Sequence, residues 1–269
     1  MKKFLAKALV GGLLLGSGVG AANATPVLAG SEQSLQSVIN GLYQSAACPG
    51  CSAVVNAPNV NTDQQAPDQL WAIEASGGSF ATFVIELAGH AATNTFGIYD
   101  PYNNNLVQLF AGSAGQPDQV LVSIGTNGQV TTVYFKRDIN GVLQSVSSNT
   151  TGAGYFTGNL FGYYLGTTGG TYYSEMSRNA GGADQLVAFK GDGDTIKLPG
   201  NNPGQWGSSS YILAWEDMPY ANSDKDFNDL VVYVESIKPM PEPGSLALVS
   251  AALLGVAGAT SRRRKNTTA

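Results

Sequence analysis

"QVLVSIGTNGQVTTVYFK", Gln119–Lys136, decides the fold class. Two apolar runs flank Thr126-Asn127-Gly128, and Asn-Gly supplies the two positive-φ positions that a tight hairpin uses. Asp138-Ile139-Asn140-Gly141 then turns the chain into "VLQSVSS", which extends the hairpin into a meander. Upstream, "NTFGIYD" and "NNLVQLFA" flank a Pro-Tyr-Asn-Asn turn, and "LWAIEA" and "FATFVIEL" flank Ser76-Gly77-Gly78, where a further hairpin is expected. Downstream come "NLFGYYLG", "TYYSE", "DQLVAFK", "TIKL", "SYILAW" and "DLVVYVESI". About a dozen short strands with frequent turn signals predict an all-β, antiparallel sandwich of jelly-roll type. No repeat or linker divides it.

The region before these strands has a different period. Leu35, Val38, Ile39 and Leu42 recur at i, i+3, i+4 and i+7, which predicts one short amphipathic helix. Cys48 and Cys51 follow in "AACPGC". In an exported chain a small local disulfide suits this Pro-Gly turn, whereas a thioredoxin-like centre needs the motif to follow a strand and open a helix.

Export is read from the first residues. Lys2, Lys3 and Lys7 precede the apolar run "ALVGGLLLGSGVG" and an A-x-A site at Ala22-Asn23-Ala24, so the mature chain is expected to begin near Thr25. At the other end an apolar run from Leu246 to Ala259 leads into Arg262, Arg263, Arg264 and Lys265. As a helix, Gly244 to Thr260 would reach about 25 Å, the short end for a bilayer span, with its basic end held in the cytoplasm. The expected division is therefore 1–24 signal peptide, 25–57 helical and disulfide segment, 58–238 β-sandwich, and 239–269 sorting tail.

Between Thr25 and Lys238 there are 7 Lys/Arg against 18 Asp/Glu, a balance of 7 − 18 = −11. Such a body repels the phosphate backbone, so nucleic acid is excluded as a partner. Its acids also cluster. In "WEDMPYANSDKDFNDLVVY", Glu216, Asp217, Asp224, Asp226 and Asp229 fall within 14 residues, answered by Lys225 alone. The flanking runs are apolar enough to be central strands, so the acids belong to a loop at one end of the sheet and converge there. Pairs roughly 5 Å apart at an effective dielectric near 20 repel by about 3 kcal/mol before screening. Proton uptake or a hard cation resolves that, and Ca2+ is the expected ion outside the cytoplasm. In an extended segment Asp224, Asp226 and Asn228 project one way, with Phe227 facing the core as a peg. Asp229 and the Glu216-Asp217 pair close the site. An EF-hand is rejected, because its sixth position is Asp229 rather than Gly and "LVVYV" follows where the loop should continue.

Two resemblances go with these residues. Pro241-Glu242-Pro243, the apolar run after it and the terminal Arg cluster resemble the PEP-CTERM sorting signal. That resemblance implies an exosortase partner, a temporary inner-membrane anchor, and a link to exopolysaccharide. "WEDMPYANSDKDFNDLVVYVE", with "NTFGIYD", "FGYYLGTTGGTYYSE" and "GGADQLVAF" upstream, resembles the DUF4114 domain over roughly Leu70 to Ile237. This implies a surface-associated, cation-binding β module with no established reaction.

The expected function is a non-enzymatic, exported protein of the cell surface, biofilm or extracellular matrix, with Ca2+ held by the acidic hairpin. A carbohydrate-binding module is the alternative. A polysaccharide hydrolase is third, with Glu74, Glu86 and Glu216 as the carboxylate candidates; the chain carries no nucleophile elbow, zinc-protease or phosphate-loop signature. Gly191-Asp192-Gly193-Asp194 reads as a turn, and the lone His90 as a surface residue.

Overall fold

The computed structural model describes residues 24–46, 56–74, 79–86 and 93–241. The signal region up to residue 23, Cys48, Cys51, His90, and Glu242, Pro243 and the Arg cluster of the tail lie outside the described residues. Among the described residues, no helix is long and apolar enough to cross a membrane.

A helix, α1 (Leu35–Ala46), comes first, followed by β1 (Leu70–Ile73), β2 (Ser79–Glu86), β3 (Thr95–Tyr99) and β4 (Leu106–Phe110). The meander is β5 (Gln119–Ile124), β6 (Val130–Arg137) and β7 (Leu143–Thr150). After it come β8 (Leu160–Thr167), β9 (Gly170–Tyr173), β10 (Leu186–Lys190), β11 (Thr195–Ile196) and β12 (Gly204–Gln205). The chain closes with β13 (Ser210–Trp215), β14 (Leu230–Glu235) and β15 (Ile237–Met240).

All pairings are antiparallel, and they form two main sheets. The first runs β15-β1-β8-β3-β4, with β9 also on β8; the second runs β10-β13-β14-β2-β5-β6-β7. Their facing sides share one apolar core, with Trp71, Phe96, Phe161 and Tyr163 from the first sheet meeting Val120, Tyr211, Trp215 and Val232 from the second. Tyr163, Tyr164 and Tyr172 are buried, so the Tyr-rich strands serve packing.

A third layer explains the two apolar runs nearest the acidic loop. Residues of β10, β13 and β14 alternate between the inter-sheet core (Leu213, Trp215, Val232) and a second core on the outer face (Ile212, Ala214, Val231, Tyr233). Covering that outer face are Leu35, Val38, Ile39 and Leu42 of α1, with Val27, Trp206 and Ile196. Strands buried on both faces read as continuous apolar sequence. The helix starts at Ser34, whose hydroxyl accepts the Ser37 N–H at 3.3 Å. Val27 and α1 therefore pack onto the same body as the sheets.

Two expectations need correction. β1 and β2 do not form a hairpin. β1 is flanked by β15 and β8, and β2 by β14 and β5, so neither strand has an edge left for the other. The Asn-Gly turn is also not doubly positive in φ. Gly128 alone is left-handed there (φ 75°), and its N–H donates to the Gly125 carbonyl at 2.9 Å while the Gly125 N–H reaches Gln129 at 2.8 Å. This is a type I turn followed by a left-handed glycine, the other common way to close a hairpin.

Candidate metal site

β13 and β14 pair from Ser210–Glu235 to Trp215–Leu230, so the segment 216–229 projects from one end of the second sheet. Glu216 leaves β13 fully buried. Its Oε1 accepts the Phe227 N–H at 2.7 Å, and its Oε2 is buried with no hydrogen-bond partner. Phe227 is itself fully buried among the residues of the outer core, as the expected peg.

The backbone is not extended, however. Lys225 and Phe227 are left-handed (φ 63° and 52°), a conformation costing about 1–2 kcal/mol per non-glycine residue. The coiling brings carboxylate oxygens of Glu216, Asp224 and Asp226 within 4.8 Å of one another. Asp226 is buried and Asp224 exposed, so the group runs from the interior to the surface. Asn228 lies beside them: its Nδ2 donates to Asp226 Oδ2 at 2.7 Å and to the Gln33 carbonyl at 2.8 Å, so the side chain orients that carboxylate.

Asp217 and Asp229 form a separate group. Asp229 Oδ2 accepts the Asp217 N–H at 2.8 Å, and Asp217 Oδ2 accepts from Asn94 Nδ2 at 3.2 Å. Lys225 answers none of these acids by an ion pair; its ammonium lies 4.8 Å from the centre of the Tyr220 ring.

Burial raises the Glu216 carboxyl against the opposing effect of the Ser223 hydroxyl and the Phe227 N–H, and the Asp224 and Asp226 charges add to the rise. Asp226 is raised by burial and by Asp224, against the opposing effect of its Asn228 hydrogen bonds. Asp229 is pushed up to about 8, first by burial and then by the Asp217, Glu216 and Asp226 charges. Each shift marks a carboxylate that water no longer stabilises and that no cationic side chain neutralises.

One wall of the site gave no signal in the sequence. A Cβ placed on Gly30 would come within 2.0 Å of Asp226 Oδ2 and 2.9 Å of Asp224 Oδ2, so a side chain there would displace the two carboxylates. The Leu28 N–H holds this segment to the Lys225 carbonyl at 2.8 Å. A lone glycine in a coil before a helix looks like any other.

Of the remaining candidates, Glu86 pairs with Leu230 beside the acidic loop, whereas Glu74 lies apart from it. Ser209 Oγ donates to Glu74 Oε2 at 2.6 Å, at the start of β13, whereas Glu216 follows its end. Along a strand that is roughly 20 Å, well beyond the 5–9.5 Å of a glycosidase pair. Gly191-Asp192-Gly193-Asp194 is a turn, with the Asp194 N–H on Asp192 Oδ1 at 2.8 Å.

Residues 118–237 match the model of a family described as a domain of unknown function, DUF4114. The matched span contains the whole acidic loop and runs from the start of β5 to the start of β15; it begins later than the resemblance from Leu70 and leaves out α1 and β1–β4. No curated protein and no solved structure matches the chain.

Proposed function

We propose that this is an exported, non-enzymatic protein of the cell surface or extracellular matrix, built on a jelly-roll-like sandwich, whose Glu216, Asp224 and Asp226 hold Ca2+. The carrying observation is Glu216 Oε2: a buried carboxylate oxygen without a donor, beside two further carboxylates. Oxygens around one ion at about 2.4 Å lie up to roughly 4.8 Å apart, and hard oxygen donors suit Ca2+. Two left-handed residues inside the loop are backbone strain of the kind that collects at functional sites.

Export and anchoring are supported by the signal pattern, by Pro241-Glu242-Pro243 and by the terminal arginines, with exosortase processing and release toward an exopolysaccharide matrix. Thermal melts with Ca2+ and with chelator test the ion. A higher melting temperature in Ca2+ that Asp226→Asn abolishes is expected, and superimposable curves refute the site.

A carbohydrate-binding reading is favoured by a separate feature. An open groove of about 380 Å3 lies between Phe135, Arg137, Leu198, Tyr233 and Glu235. Glu235 and Tyr233 belong to the end of β14 away from the acidic loop, so sugar binding there would be insensitive to chelator. Glycan binding lost on Arg137→Ala supports this reading, and a blank array removes it.

A further inference from the structure

The residue expected to begin the mature chain is firmly held. The Thr25 hydroxyl donates to Asp184 Oδ2 at 2.6 Å, its backbone N–H to Gln64 Oε1 at 2.8 Å, and its carbonyl accepts Gln64 Nε2 at 2.7 Å. Next, the Val27 N–H donates to Asn61 Oδ1 at 2.8 Å, and the Val27 side chain enters the outer core. Leu28 then bonds to Lys225, and Gly30 meets Asp226. Residues 25–30 thus form a strap, tied at Asp184 and ending as a wall of the acidic site.

The tied end has acceptors in excess of positive charge. Asp184 and Asp68 are both half-buried, and neither makes an ion pair among the described residues. Burial raises both carboxyls, and the Asp184 charge raises Asp68 further.

We propose that hydrolysis of the Ala24–Thr25 peptide bond turns the Thr25 nitrogen into an ammonium held by Asp184, with Asp68 nearby, so that removing the export signal locks the strap over the acidic loop. Water supplies the atoms: Ala24 leaves as a carboxylate, and the Thr25 amine takes up a proton. An amide nitrogen carries one hydrogen, which Gln64 already accepts. An ammonium carries three, so the Gln64 bond is kept while two donors and a charge turn toward the carboxylate that the Thr25 hydroxyl touches. In the uncleaved chain the same place holds a neutral amide.

This inference rests on the export reading, and sequencing the exported protein's N-terminus separates the two. A chain still beginning at Met1 defeats both. If Thr25 comes first, the decisive measurement is the rate at which its amine reacts with an acylating reagent near neutral pH. A rate roughly tenfold below that of a Thr-Pro-Val peptide is expected, equal to one pKa unit of ammonium stabilisation. A peptide-like rate overturns the inference and leaves the export reading intact. Full chains beginning at Thr25 should also melt roughly 2–4 °C above chains that retain Ala24, and Asp184→Asn should remove that gap. If Asp184→Asn does not fold, the amine rate of the unsubstituted chain still decides.

Discussion

Glu216, Asp224 and Asp226 on one side, and Asp217 and Asp229 on the other, come from the same 14-residue segment and are equally acidic in sequence, yet the fold treats them differently. The second group is served from within the protein: Asn94 donates to Asp217, and the Asp217 N–H donates to Asp229. The first brings one oxygen of each of its three carboxylates within 4.8 Å, and Glu216 Oε2 has no hydrogen-bond partner. Charge density in a loop therefore does not define a cation site. On the proposed reading, the deciding factor would be which carboxylate oxygens the chain leaves without donors.

The comparison is broken most severely by removing what both groups depend on. Phe227→Ala should cost about 3–5 kcal/mol in denaturant unfolding, because the peg that fixes the loop is a fully buried aromatic ring. The Ca2+ response should vanish with it.

On the proposed reading, Ca2+ should separate the two groups. At an ion concentration about 100 times the dissociation constant, the stabilisation should approach about 2.7 kcal/mol. Asp226→Asn should abolish the response, whereas Asp229→Asn should leave it in place, as calorimetric titration of each variant would show.

Acidity separates them in a second way. Carboxyls whose folded pKa lies above the unfolded value stabilise the protein at low pH, and that contribution is lost as pH rises through the folded value. Chelated protein should therefore lose stability from the ordinary carboxylate range near pH 4 upward, with the Asp229 share leaving last, around pH 8. Ca2+ should reverse the Glu216 and Asp226 share, because the ion binds the deprotonated forms. Melts from pH 5 to pH 8.5 with and without Ca2+ would show this; a chelated protein that gains stability over the range would contradict the burial of these acids.

The smallest effect should come from Asn94→Ala. Losing one donor to Asp217 should cost about 1 kcal/mol, with the Ca2+ shift unchanged.

Much of the local structure was legible in the sequence. The hairpins β3–β4, β5–β6 and β13–β14 are each closed by a single loop, and turn residues or apolar runs announce them. α1 followed from four apolar residues at helical spacing, and the acidic loop from its two flanking strands. Long-range pairing was not legible. The partner of Trp71 in β15 is Pro239, and nothing in either four-residue strand names the other. Within the loop, strict alternation failed because Lys225 and Phe227 adopt left-handed backbone, which sequence gives no reason to expect of a lysine and a phenylalanine. The role of Gly30 depends on a contact across about 200 residues of chain, and such contacts leave no local pattern.

The pairing of β15 with β1 bears on how the molecule would respond to pulling. β15 is an edge strand of four residues, and Met240, its last, lies opposite Leu70, the first of β1. Tension drawn through the chain after Pro241 and across the sheet would load the ladder at Met240 first and peel it rung by rung toward Ile237. A junction that opens like a zip yields at lower force than one sheared along its length. The end of this fold would therefore give way before the two-sided packing of β13 and β14 felt the load.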